Sequence, residues 1–332
     1  MSFLYNAKKN ITQFMIRATW KRKIADAGFR NTCWTNNIPL EDINFEDGRL
    51  TLNPLNLTFE NPEQASFLIS SHYKPIRDIC KKGELELELA QSGFLGHWNN
   101  LHSYFTEPSD FYMLREIFTY GFYDFFLPED EAFIFVDVGM NIGLSSLCIL
   151  NRFKNAKSYS YEPSKSTFEK SKANFLLNPH LKERAKLFQW GLGNKERSEK
   201  IYFTQSGSPS ASIYHNFQSE DDLESTKLQS EQILIKQSST IIQNILDAEN
   251  PPKLILKLDC EGAEYEILQD LSQHRLLGHI DALLLEWHEF GNKKRKYLTE
   301  LLHREHFSIF GPDLYNHSKN AGNLFAANTK RS

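Results

Sequence analysis

The sequence predicts an α/β fold: a doubly wound, mostly parallel sheet with an antiparallel C-terminal strand, preceded by an N-terminal accessory region. Three observations carry this. Apolar runs, the mark of strands buried on both faces, occur at 133–138, 254–258 and 282–285. Strand-like and helix-like segments alternate between and around them, a pattern that argues for parallel strands covered by helices. The first run breaks at Gly139 and Gly143 before Leu144, Leu147, Cys148 and Leu150 take up helical spacing, giving strand, glycine turn and helix.

Residues 1–104 are assigned to the accessory region. Its first 30 residues are basic, with Lys8, Lys9, Arg17, Lys21, Arg22, Lys23 and Arg30 against Asp26. A membrane-surface or partner helix has this character, but a solvated helix face is the commoner origin of such a run. Asn36-Asn37, Asp47-Gly48 and Asn53-Pro54 are turn signals, and a hairpin is expected at Asp47-Gly48 beside the β-type stretch 51–59.

The main domain is assigned to 105–332. Met113, Ile117, Phe118 and Phe122 place a helix over 110–122, expected against one edge of the sheet, with Tyr120 and Tyr123 as packing residues. After the first strand come a second strand at 158–161, a helix capped by Ser164, and a third strand at 186–190 that ends at Gly191-Leu192-Gly193. Extended pieces at 200–203 and 232–236 flank a polar, acidic segment, 204–231. Its length marks it as a lid or a disordered segment. A short helix from Thr240, a fourth strand at 254–258, a helix at 263–271 and a fifth strand at 282–285 follow. A basic helix at 292–303 and an antiparallel pair, 307–310 with 324–327, close the domain.

Net charge is −4, so no bulk electrostatic attraction favours nucleic acid. Cys33, Cys80, Cys148 and Cys260 are scattered without CxxC or zinc spacing and read as reduced packing residues of a cytoplasmic protein. No apolar run reaches membrane-spanning length, and the start is too polar for a signal peptide.

Polar groups fall at the strand ends: Asp137, Glu162, Asp259, and Glu286 with His288. In a parallel sheet these ends share one rim, where open α/β sheets bind ligands. Asp137 and the turn residues Gly139, Asn141 and Gly143 are therefore candidate ligand-binding positions, as is Gly191 at the third strand end. Glu162 ends the next strand, where a carboxylate can accept both hydroxyl hydrogens of a ribose. A dinucleotide fingerprint would need glycine at 141 and 144, where this chain has Asn141 and Leu144. That makes the turn poorly suited to pyrophosphate and a nicotinamide dehydrogenase a weak reading. Asp-x-Gly-x-Asn-x-Gly suits a ligand without phosphates, such as S-adenosylmethionine, with its amino-acid end at the turn and its ribose at Glu162.

At Val136-Asp137-Val138-Gly139-Met140-Asn141-Ile142-Gly143, Tyr161-Glu162-Pro163, Leu256-Lys257-Leu258-Asp259-Cys260-Glu261-Gly262-Ala263-Glu264 and Leu284-Leu285-Glu286-Trp287-His288 the chain resembles the FkbM family of S-adenosylmethionine-dependent methyltransferases. The resemblance covers about residues 105 to 328 and leaves the N-terminal hundred unexplained. It implies a class I, Rossmann-like methyltransferase fold and O-methylation of a hydroxyl on a sugar, glycan or natural product. Met140 departs from the small residue usual at that place.

Methyl transfer from a sulfonium is an in-line displacement that depends on positioning, and a hydroxyl acceptor must lose its proton as it attacks. His288 titrates in a suitable range and is the expected base, with Asp259 or Glu286 orienting it or the substrate. Those three side chains also suit a divalent ion, but no metal is assigned. Glu261 and Glu264 are expected as charges on the first helical turn. The competing reading is a non-catalytic module that keeps the fold to bind a protein partner.

Overall fold

The computed structural model describes residues 24, 27–60, 62–66, 68, 73–118, 127–203, 229–310 and 320–331. The chain divides into two compact units, Met1–Thr119 and Tyr120–Ser332.

In the first unit, α1 (Ala27–Thr35) precedes a three-stranded antiparallel sheet of β1 (Ile43–Glu46), β2 (Arg49–Leu52) and β3 (Leu57–Phe59). The hairpin at Asp47-Gly48 forms as expected, with φ of 51° and 78° at its two central residues. Positive φ at both is what a tight hairpin turn requires. After α2 (Tyr73–Lys81) a second antiparallel sheet follows, made of β4 (Glu86–Leu89), β5 (Phe94–Trp98) and β6 (Leu101–Phe105). Asn99-Asn100 turns its second hairpin with the same geometry, a signal the sequence reading passed over. Phe94 packs edge-on to Phe59 and against Phe111, and Phe105 stacks on Phe111 at 4.8 Å. The helix expected over 110–122 is α3 (Tyr112–Phe118), within this unit, where Phe118 meets Trp98 at 5.5 Å. Tyr120, Phe122 and Tyr123, and the basic residues of 1–23, lie outside the described residues.

The second unit is built on a seven-stranded sheet. Its strands are β7 (Ile134–Val138), β8 (Lys157–Tyr161), β9 (Ala185–Phe188), β13 (Leu254–Leu258), β14 (Ala282–His288), β15 (Phe307–Phe310) and β16 (Ala321–Asn328). Across the sheet they stand in the order β15-β16-β14-β13-β7-β8-β9. The first five in chain order are parallel, and β16 runs antiparallel between β14 and β15. This is the class I methyltransferase arrangement that the sequence leads one to expect, with the order reversing between β7 and β13. β7 and β13 are buried at every position, which is why both read as apolar runs, broken only by Asp137 in one and Lys257 in the other. The helices α4 (Leu144–Arg152), α5 (Lys165–Leu176), α6 (Ser238–Glu249), α7 (Glu264–Gln273) and α8 (Arg295–Arg304) connect the strands.

The extended pieces after β9 form a separate three-stranded sheet. In it β12 (Gln229–Gln237) pairs parallel with β10 (Gly191–Gly193) and antiparallel with β11 (Arg197–Phe203). Ile201, Ile233 and Ile235 make a small buried apolar cluster there. Residues 204–228, nearly all of the segment read as a lid or a disordered stretch, lie outside the described residues. All four cysteines are free thiols. Among the described residues no helix is long and apolar enough to cross a membrane.

Candidate active site

A cavity opens at the carboxyl ends of β7, β8 and β13, next to the order reversal where a doubly wound sheet leaves a crevice. Its lining includes Val138, Gly139 and Asn141 from the first turn, then Glu162, Pro163, Ser164 and Thr167. Gly191, Leu192, Ile201, Ile233 and Ile235 add an apolar wall, and Asp259, Cys260, Glu261 and Ala263 close the far side. None of the described lining residues is basic.

The two halves of this rim are stitched by Lys257. It lies directly across from Asp137 in the β13–β7 ladder, fully within the sheet, with 2 % of its side chain exposed. Its Nζ lies 3.1 Å from Asp137 Oδ1 and 3.4 Å from Asp259 Oδ2, and donates to the Gly139 carbonyl at 2.9 Å. Asp137 Oδ2 accepts from the hydroxyls of Ser145 (2.5 Å) and Ser146 (2.7 Å) at the start of α4. Asp137 is thus sealed beneath the turn, and it does not line the cavity as a cofactor contact should. The physical reason is its register partner: a carboxylate opposite a buried lysine is drawn into an ion pair below the surface.

Gly139, at φ 78°, leaves room for the Asp259 carbonyl, which a Cβ there would meet at 1.7 Å. Its missing side chain serves the junction of β7 with β13 as well as the cavity it lines. Gly143, at φ 88°, caps α4 and packs against Phe175, away from the cavity. Met140 is fully buried, so the side chain that departs from the family pattern points into the core and leaves the turn open. Asn141 takes the left-handed conformation, φ 53°, and its N–H donates to Glu162 Oε2 at 3.2 Å. Glu162 Oε1 accepts from the Ser164 N–H at 2.9 Å. Glu162 therefore ties the turn to the start of α5 while facing the cavity. Burial pushes its carboxyl up to about 7, against the pull of those two N–H groups and of Lys257.

On the far side, Asp259 keeps one-fifth of its side chain exposed. Burial would raise its pKa, but Lys257, a hydrogen bond shared with Glu286 and the charge of His288 outweigh it and hold Asp259 below the usual carboxylate range. Glu286 and His288 lie behind Asp259 and outside the lining. His288 is 4 % exposed and fixed by Glu264, whose Oε1 accepts from the His288 N–H at 2.9 Å and faces Nδ1 at 3.2 Å. Its Nε2 stands 3.4 Å from Glu261 Oε2 and 3.8 Å from Glu286 Oε1. Burial alone would lower the imidazole pKa, but Glu264, Glu261 and Asp259 raise it to about 9. These carboxylates favour the protonated form of His288 at neutral pH, in contrast to the free base expected from the sequence.

Glu264 stands in the first turn of α7, as expected, whereas Glu261 falls before the helix. Glu264 is a fully buried acceptor for His288 and for the Gly262 N–H. Glu261 sits in the turn before α7 at φ 52°, lines the cavity, and is pushed up to about 7, chiefly by burial and against the pull of His288. Sequence reasoning missed Lys257 and the isoleucine wall. A lysine inside Leu-Ile-Leu-Lys-Leu was the available signal for the first; the second depends on a sheet formed by distant segments. Among the described residues, no group of three or more His, Cys, Asp and Glu side chains is disposed to hold a metal ion.

Comparison with known proteins bears on this site. The family model described as "Methyltransferase FkbM domain" matches residues 137–310, a little more than half of the chain. A curated protein called Methyltransferase 1, from Beauveria bassiana (strain ARSEF 2860), is 28 % identical over 167 residues, which is 47 % of this chain. The match spans 65 % of that relative, just under two thirds of its length. The crystal structure of Methyltransferase FkbM from Methylobacillus flagellatus KT aligns with a TM-score of 0.36 and 15 % identity, over 61 % of this chain and 45 % of that one. The N-terminal domain of human METTL16 in complex with SAH aligns with a TM-score of 0.36 and 10 % identity, over 89 % and 93 % of the two chains.

Proposed function

The chain belongs to the methyltransferase FkbM domain family, and from that premise we propose that it transfers a methyl group from S-adenosylmethionine to a hydroxyl of a sugar, glycan or natural product. The observation that carries the cofactor reading is the make-up of the cavity: carboxylates, a backbone turn and an apolar wall, with no basic residue among the described lining. Such a site suits a ligand that carries a sulfonium, a ribose and an adenine, and it offers no cation to a pyrophosphate. When bound, S-adenosylmethionine supplies a methyl group activated on positive sulfur.

The chain's own residues would divide the work. Gly139 and Asn141 would receive the amino-acid end, and Glu162 the ribose hydroxyls, for which its carboxylate keeps lone pairs beyond the two N–H bonds it accepts. Gly191, Leu192 and the isoleucine wall would exclude water around the base. Asp259, with Glu286 and His288 behind it, would face the acceptor side. Asp137 and Gly143 act on this site indirectly, by holding the turn. No step in this reading calls for a metal.

Incubating the purified protein with S-adenosylmethionine and a panel of sugars, glycans and phenolic natural products tests the reading. A gain of one methyl group on an acceptor oxygen, seen by mass spectrometry, is the expected result. Binding of S-adenosylhomocysteine without turnover on any hydroxyl would overturn the hydroxyl assignment, and failure to bind it would overturn the cofactor assignment.

A further inference from the structure

The turn Asp259-Cys260-Glu261-Gly262 brings two carboxylates to the acceptor side of the cavity, and they differ in how they are held. Asp259 faces Lys257, shares a hydrogen bond with the Glu286 carboxyl and lies in the field of His288. Glu261 faces Nε2 of a histidine that is itself clamped from behind. Glu264, His288 and Glu261 form a series of carboxylate, imidazolium and carboxylate, and of the three only Glu261 lines the cavity. Glu261 holds φ 52°, a strained conformation for a residue with a side chain and one that clusters at functional sites.

We propose that Glu261 is the group that takes the acceptor's proton, with His288 and Glu264 as its positioning pair. This rests on the methyl-transfer reading given above. As the acceptor oxygen attacks, a lone pair on it forms the new bond to the methyl carbon. The methyl–sulfur bonding pair leaves with sulfur, which becomes a neutral thioether. The acceptor O–H bond breaks with its electron pair kept on oxygen, and the proton goes to a Glu261 carboxylate oxygen, from which it passes to solvent. The two negative-to-neutral and positive-to-neutral changes cancel.

The surroundings favour Glu261 over Asp259. A general base works best with a pKa near the working pH. Asp259 is held below the usual range, whereas burial brings Glu261 to about 7. The groups that set this are His288 from β14, Glu264 from α7 and Asp259 from the end of β13. Of these only His288 favours the ionised form. His288 keeps its own proton, so its charge steers the Glu261 carboxylate without competing for the acceptor's proton.

The test has one arm that needs no acceptor. Imidazole NMR titration of His288 in the wild type and in Glu261→Gln, each with S-adenosylhomocysteine bound, should show the histidine losing its proton about tenfold or more readily in the variant. An unchanged titration would overturn the pairing. The second arm compares turnover on methyl glucoside, phenol and p-nitrophenol, acceptors of rising acidity. Glu261→Gln should bind S-adenosylhomocysteine within about twofold of wild type and lose about 10²–10⁴-fold on the sugar hydroxyl. The loss should shrink to a few-fold on p-nitrophenol, which is already largely ionised, and Glu261→Asp should restore part of the sugar activity. In wild type, kcat/KM should rise with pH through about 7 and then level, and that rise should vanish in Glu261→Gln. Equal losses on all three acceptors, or none, would overturn the base assignment while leaving methyl transfer intact. Wild-type binding of S-adenosylhomocysteine with no turnover on any of the three would overturn the hydroxyl reading and this proposal with it.

Discussion

The turn after β7 and the turn after β13 are built alike and used differently. Each follows a fully buried central strand, carries left-handed residues and leads into a helix. Each has an aspartate at the strand end, and both aspartates share Lys257, at 3.1 Å and 3.4 Å. Asp137 is fully buried and held by two serine hydroxyls, while Asp259 reaches the cavity. One carboxylate shapes a backbone turn and the other faces a ligand. The difference arises from depth in the strand: Asp137 lies within β7, level with Lys257, and Asp259 lies one residue past β13. Position at a strand end does not by itself make a contact with ligand; a buried partner level with the residue can claim it first.

The largest effect should come from breaking the shared partner. Lys257→Met leaves Asp137 charged and buried opposite an apolar group, and should cost about 3–5 kcal/mol in denaturant unfolding. A loss below about 1 kcal/mol would mean that the pair is not the tie between the two turns. Asp137→Asn should behave the same way in kind, losing stability while the folded protein keeps its affinity for S-adenosylhomocysteine.

Gly139→Ala and Gly191→Ala sharpen the contrast between a glycine needed by backbone and one that merely borders a cavity. At Gly139 the added Cβ meets the Asp259 carbonyl at 1.7 Å and the φ is positive, so a loss of about 1–3 kcal/mol or more is expected in thermal unfolding. At Gly191 the nearest atom would be 3.6 Å away, on Pro163, and stability should hold within about 0.5 kcal/mol. Equal effects at both positions would contradict this account of the turn.

Glu162→Ala removes an acceptor of two backbone N–H bonds that also faces the cavity. A charge-assisted bond of about 1.5–3 kcal/mol predicts a fall in cofactor affinity of roughly ten- to a hundred-fold by calorimetry. An unchanged affinity in the folded variant would remove Glu162 from the cofactor site.

The smallest expected effect is a pH dependence of stability. His288 has its pKa raised from 6.5 to about 9, so the stability it contributes is fully present below about 6.5 and is lost as pH rises through 9. Melting temperature should therefore decline between neutral and alkaline pH, and Glu264→Gln should flatten that decline by removing the carboxylate bonded to Nδ1. A steeper decline in the variant would reverse the sign assigned here.

Much of this architecture could be read from local sequence. The apolar runs marked the sheet, the glycines marked the first turn, and Glu162 and Asp259 fell at strand ends that do line the cavity. What escaped depends on register and on packing between distant segments. The partnership of Asp137 with Lys257 follows from a ladder joining residues far apart in sequence. The burial and charge of His288 follow from Glu264 reaching across from α7. Glu261 reads as a first-turn helix charge until its left-handed backbone is seen, because a non-glycine residue in that conformation has no sequence mark. The isoleucine wall needs the pairing of β11 with β12 across the segment 204–228.

The most direct test of the central claim, that the cavity between the two turns holds S-adenosylmethionine, is calorimetric titration of wild type, Glu162→Ala and Asp137→Asn with S-adenosylhomocysteine and with NAD. One saturable site for S-adenosylhomocysteine and none for NAD is the expected result, with a large loss of affinity in Glu162→Ala and a near wild-type value in folded Asp137→Asn. Binding of NAD in preference to S-adenosylhomocysteine, or loss of affinity in Asp137→Asn with none in Glu162→Ala, would contradict it.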